Sequence, residues 1–189
     1  HIDRNTDTDP LISVEANCTV ELQTEGENTV AGKLRHAPVS VDPRATLILG
    51  GTGTLTVENR LERLAMSGAA IGGKCNQDSG KIIIESGTVV ATSRGYGAAI
   101  GGGYTKKGTV EIRGGTVTAT ANKSAAAIGG GYQGAGTVKI SGGQVNATVS
   151  GYASAIGGGT NGNGTVEISG GIGEATAKSG AAIGGGYQG

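Results

Sequence analysis

The chain has 189 residues, 39 of them glycine, with five tyrosines and no tryptophan or phenylalanine. That excludes a core built on large aromatics, and collagen too, since glycine does not recur every third residue and there are only three prolines. Fifteen basic residues balance fifteen acidic ones, so the cationic surface that nucleic acid demands is missing, and no apolar run nears the ~18 residues of a membrane-spanning helix.

Residues 1–10 are polar and read as an extended lead-in or cap. Short apolar segments then come in threes: LISV (11–14), TVELQ (19–23) and NTVAG (28–32), followed by APVSV (37–41), TLILG (46–50) and TLTVE (54–58). Pro10, Pro38 and Pro43 all fall in this N-terminal third, at corners in this reading. From residue 64 the triplet becomes regular. Ile-Gly-Gly-Gly, or a near copy, starts at Ile71, Ile100, Ile128, Ile156 and Ile183, at intervals of 29, 28, 28 and 27. In the unit that starts at Gly108 the segments are 109–112, 116–120 and 125–128. The first two alternate with period two, as half-buried strands do. The unit holds no helical period, hairpin signal or heptad.

Three strands and three corners per repeat predict an all-β fold, a parallel β-helix (β-solenoid) of about six coils, each burying its apolar side only against its neighbours. The organisation is a lead-in (1–10), degenerate coils (11–63) and regular repeats (64–189), in one domain. Inward columns follow from the register: Ile82, Val110, Val138 and Val166, then Ile84, Ile112, Ile140 and Ile168 on the first strand. The second strand contributes Val89, Val117 and Val145, then Ala91, Ala119, Ala147 and Ala175, and the third contributes the isoleucines. Stacked aliphatic side chains replace an aromatic core, each contributing about 1.5–3 kcal/mol when well buried.

The outward columns carry the chemistry. On the first strand Glu21, Ile48, Ile83, Glu111, Lys139 and Glu167 line up, with opposite charges on adjacent rungs at the last three, and Glu85 stands beside Arg113. These read as charge-balancing ladders on a solvated face. On the second strand Thr92, Thr120, Thr148 and Thr176 make an uninterrupted threonine ladder. Flat Thr-x-Thr arrays can bind ice, but Gln144, Asn146, Ile172 and Glu174 interrupt the other two columns, and threonine is a good exposed strand residue in any case. Tyr104, Tyr132 and Tyr187 each follow an Ile-Gly-Gly-Gly, with Thr160 and Lys74 at that site in the other copies, and Tyr96 and Tyr152 lie four residues before their isoleucines. All five flank the third strand and are candidate sugar-stacking residues, or else covers for a glycine-rich corner.

Catalysis and metal binding have little support. The two histidines, His1 and His36, lie outside the regular repeats, and aspartate is absent from residue 81 onward. Candidate glutamates for glycoside cleavage (Glu85, Glu111, Glu167, Glu174) fall on different faces or two rungs apart. The loop DRNTDTDP lacks the glycine and final glutamate of a calcium loop, and IGGGYQG lacks the Lys-Ser/Thr of a phosphate loop. No cofactor is expected. Cys18 and Cys75 are the only cysteines; an even count favours a disulfide, and a separation of two rungs opposes it.

The runs SGAAIGGK, GAAIGGGYTKKGTVEIRGGTVTAT and AAAIGGGYQGAGTVKISGG resemble the glycine-rich repeats of large secreted or wall-attached proteins of Firmicutes, especially gut Clostridia. The match covers residues 64–189, and the lead-in is similar to the segment that precedes such repeats. The resemblance implies a right-handed parallel β-helix, an extracellular or cell-wall location, and a carbohydrate-binding label. The expected role is a non-catalytic surface module: an adhesin or stalk that contacts glycan or a host-surface ligand through its tyrosine edge. The alternative is a self-assembling subunit that stacks end to end through open coil edges, since no C-terminal cap is seen and a longer parent protein is expected. Ice binding and polysaccharide cleavage stand behind both.

Overall fold

The structure, a computed structural model, describes residues 2–4, 9–62 and 66–189. The described residues contain no helix. They form twenty strands in three parallel sheets of seven, seven and six. The chain is a parallel β-solenoid of about six coils with three strands per turn, as its periodicity predicts.

The first sheet takes the Thr-Val-x-Ile segments, such as Gly108–Ile112 and Gly136–Ile140. The second takes the Thr-Val-Thr-Ala-Thr segments, such as Thr88–Ser93 and Thr116–Ala121. The third takes the Ile-Gly pairs, such as Ile100–Gly101 and Ile128–Gly129. Each strand pairs with its counterpart one coil away, so Val110 stands between Ile82 and Val138, and Ile128 between Ile100 and Ile156. The degenerate segments obey the same rule. Thr19–Thr24 pairs with Thr46–Gly51, and Glu27–Gly32 with Thr54–Asn59. The lead-in joins too: Ile2–Arg4 pairs with Val30–Gly32 as one more strand of the second sheet. Residues 5–8 and the 63/64 boundary lie outside the described residues.

Alternation decides the core. In Thr116–Ala121 every second residue is fully buried: Val117, Ala119 and Ala121. The columns of Val, Ile, Leu and Ala form one continuous apolar core that runs through the stack. Burial falls at the last coil, where Ile168 is 42% and Ile183 40% exposed, because neighbouring strands cover them from one side only.

The third strand is shorter than the sequence predicts. The segment 125–128 is read as extended, but only Ile128–Gly129 pairs as strand. The reason is a tight loop around it: the Ala126 N–H donates to the Gly130 carbonyl at 2.9 Å, and Ala98 and Ser154 make the same bond to Gly102 and Gly158. The glycine after each isoleucine turns this corner. Gly72, Gly101, Gly129 and Gly157 have φ of 128–135°, and a Cβ on any of them would collide with the carbonyl oxygen of the glycine one coil on. Only glycine satisfies both demands.

Candidate functional site

The five tyrosines meet along one edge. Column positions explain how. The residue four before each isoleucine (Ser67, Tyr96, Ser124, Tyr152) offers its carbonyl to the N–H of the residue four after the next coil's isoleucine. Thus the Tyr132 N–H donates to the Tyr96 carbonyl at 3.0 Å and the Tyr187 N–H to that of Tyr152 at 2.8 Å. The rings follow their backbones. Tyr104 and Tyr132 stack with centroids 5.8 Å apart and planes 12° from parallel, while Tyr96 stands edge-on to both, at 6.3 and 5.5 Å. Tyr152 and Tyr187 form a second pair at 6.0 Å, tilted 60°, and are 56% and 51% exposed. Such pairs contribute about 0.5–1.5 kcal/mol beyond the area they bury. Between the two groups the equivalent pair, Ser124 of one coil and Thr160 of the next, has no tyrosine, so the aromatic surface is broken once.

One alignment is corrected by the structure. Lys74 is not the counterpart of Tyr104; Cys75 is. Asn76, Thr105, Gln133, Asn161 and Gln188 all have φ of 58–62°, and each directly follows its column member: Cys75, Tyr104, Tyr132, Thr160 and Tyr187. Gly103, in turn, lies against the Lys74 carbonyl. Cys75 and Tyr104 both lie four after their isoleucine, and in the near copy at Ile71 a lysine takes the place of the third glycine. The alignment also bears on the cysteines. The Cys18 carbonyl accepts from Thr46, which aligns Cys18 with Ala45 and then Gly80, five residues beyond Cys75. Both thiols are free, Cys18 exposed and Cys75 buried.

Beside the tyrosine edge the left-handed corners enclose a polar groove of about 360 Å³. Its walls carry Asp78, Lys106, Lys107, Gln133, Asn161 and Asn163. Its floor is Gly134–Ala135, where the neighbouring coils bear Lys106–Lys107 and Gly162–Asn163. Ala135 presents only a methyl group here, where the neighbouring coils carry Lys107 and Asn163. Gln133 links groove to edge, its Nε2 lying 3.4 Å from the Tyr132 hydroxyl. Sequence reading passed over these residues, although the signal was there: the corner reads TKKG, QGAG and NGNG on successive coils.

The threonine ladder is in register: Thr92 pairs with Thr120, Thr120 with Thr148, and Thr148 with Thr176. The degenerate coils extend the threonine-rich face, because Thr54 aligns with Thr88 and Thr56 with Val90. At the other end the face stops short: Ile172 precedes the strand Glu174–Ala177, and Thr176 gives its hydroxyl proton to Glu174.

Of the four candidate glutamates, Glu85, Glu111 and Glu167 are engaged in ion pairs, and Glu174 accepts from Thr176. Glu111 takes Arg113 Nε at 2.8 Å and Lys81 Nζ at 2.7 Å, and the hydrogen bonds from Arg113 and then Lys81 hold its pKa at about 2. Lys139 pairs with Glu167 at 3.0 Å, so the expected Glu-Lys-Glu alternation is satisfied on one side, with Lys81 taking the other. Arg113 also reaches Glu85 at 2.9 Å, as its position predicts. Burial pushes Glu58 up, but hydrogen bonds from Arg60 and Arg94 outweigh it and hold the carboxyl below its usual range. A carboxylate held down in this way is a poor proton donor for glycoside cleavage. Burial, then Arg35 and Lys74, lower the pKa of His36. Among the described residues no group of three or more His, Cys, Asp or Glu is placed to hold a metal ion, and no helix is long and apolar enough to cross a membrane.

Comparison with known families agrees with the geometry. A family model described as a beta helix repeat matches residues 82–104, 110–132 and 138–160, so this stretch is a β-helix repeat region. Each match runs from a first-sheet strand to the column that holds Tyr104, Tyr132 and Thr160. Neither the curated proteins nor the solved structures gave a match.

Proposed function

We propose that this chain is a non-catalytic, extracellular β-helix module of a surface protein, a rigid stalk or adhesin that binds glycan along its tyrosine edge. One observation carries the reading: five tyrosines from four successive coils converge on one edge in two contacting groups, beside a polar groove. Ring faces stack on the apolar faces of sugars, and hydroxyls and amides take their polar contacts. The engaged carboxylates add support, since they leave binding rather than cleavage as the chemistry the surface offers.

A broad glycan array tests it. The wild-type chain binds at least one glycan class, and Tyr104→Ala with Tyr132→Ala lowers that signal about tenfold or more while the far-ultraviolet β spectrum is kept. Silence of the wild type across the array would overturn the reading.

A further inference from the structure

Within this glycan reading, the structure assigns the corner groove a ligand class: we propose that it binds an acidic oligosaccharide, with the anionic group held by Lys106 and Lys107. The argument begins with charge. Most cations on the first and second sheets are spent on carboxylates: Lys81 and Arg113 on Glu111, Arg94 on Glu58 and Glu62, Lys139 on Glu167. Several corner cations, including Lys33, Lys123 and Lys178, form no such pair among the described residues, and Lys106 and Lys107 are the two that share this groove. Among the described residues neither ammonium has an ion-pair partner, and both line the same groove. Its one acid, Asp78, already accepts the Lys107 backbone N–H on Oδ1 at 2.8 Å. The groove is therefore net positive by one charge.

Its other groups fit a sugar. Gln133, Asn161 and Asn163 offer amides that both donate and accept, which is what hydroxyl groups require. Gln133 and Thr105 directly follow the stacked rings of Tyr132 and Tyr104, so a chain lying in the groove continues onto an aromatic face. Carboxylate and sulfate esters share the chemistry that two ammonium groups recognise.

Isothermal titration with three galactose-based oligomers separates the sources: oligogalacturonate (carboxylate), sulfated galactan oligomers (sulfate) and neutral galacto-oligosaccharide. At low salt one or both acidic oligomers bind about tenfold or more tightly than the neutral one, and the stronger names the anion. The preference vanishes near 1 M salt and in Lys106→Gln with Lys107→Gln, where acidic binding falls to the level of the neutral oligomer. Ala135→Gln, which refills the floor, weakens acidic binding without altering charge. Equal binding of the neutral oligomer overturns the groove assignment and leaves the tyrosine edge standing. Failure of all three oligomers, or equal binding of a poly-glutamate peptide, overturns the assignment as well; silence on the broad array is what overturns the edge.

Discussion

A single Cβ decides whether a coil can close at Gly129. Its φ is 133°, and the carbonyl of Gly157 occupies the place a side chain would need. Gly26 also has positive φ, 61°, but no atom lies within 4 Å of its would-be Cβ. The two sites separate conformational strain from steric collision. Gly26→Ala is expected to lower stability by about 1 kcal/mol, the cost of a left-handed L-residue. Gly129→Ala is expected to lower it by about 3 kcal/mol or more, since backbone must also move. Urea unfolding of the two variants checks the difference, and equal losses would show that collision contributes nothing. The repeat of glycine in sequence marks both kinds of site alike. What tells them apart is the carbonyl from the next coil, which no local pattern reveals.

At the scale of the strand, stability comes from columns. Ile128 is fully buried between Ile100 and Ile156, whereas Ile183 keeps 40% of its surface in solvent. Ile128→Ala is expected to cost about 2–5 kcal/mol, and Ile183→Ala under about half as much, because a half-open site loses less burial and leaves no closed cavity. Thermal or urea denaturation of both variants measures the ratio. The charged columns add a pH signature. Glu111 has its pKa lowered from 4.5 to about 2 on folding, so its pairing stabilises the fold fully above about pH 4.5 and is lost as the pH falls through 2. Glu111→Gln is therefore expected to be less stable than wild type at pH 7, with the gap closing between about pH 4.5 and 2. A gap that stays constant over that range would exclude the carboxylate as its cause. The pairing of Glu85 with Arg113 was readable, because neighbours in register are set by the 28-residue spacing. The choice of Lys81 for Glu111 was not, because Lys81 belongs to the adjacent column and reaches across diagonally.

Taken whole, the molecule is a stack in which each coil touches little beyond its two neighbours, and that geometry explains what could be known in advance. Strand order, the three sheets, the inward columns of Ile, Val and Ala and the threonine ladder were all determined by the amino-acid sequence alone. A repeat of fixed length returns each side chain to the same place one coil later, so spacing along the chain becomes position in space. Tertiary structure decided the rest. It brought Tyr96 of one coil against Tyr132 of the next and opened the groove at Gly134 and Ala135. Both lie at the corners, where loop lengths differ by a residue and left-handed backbone redirects the chain. There the contacts depend on the path the backbone takes between strands, and periodicity carries no record of that path.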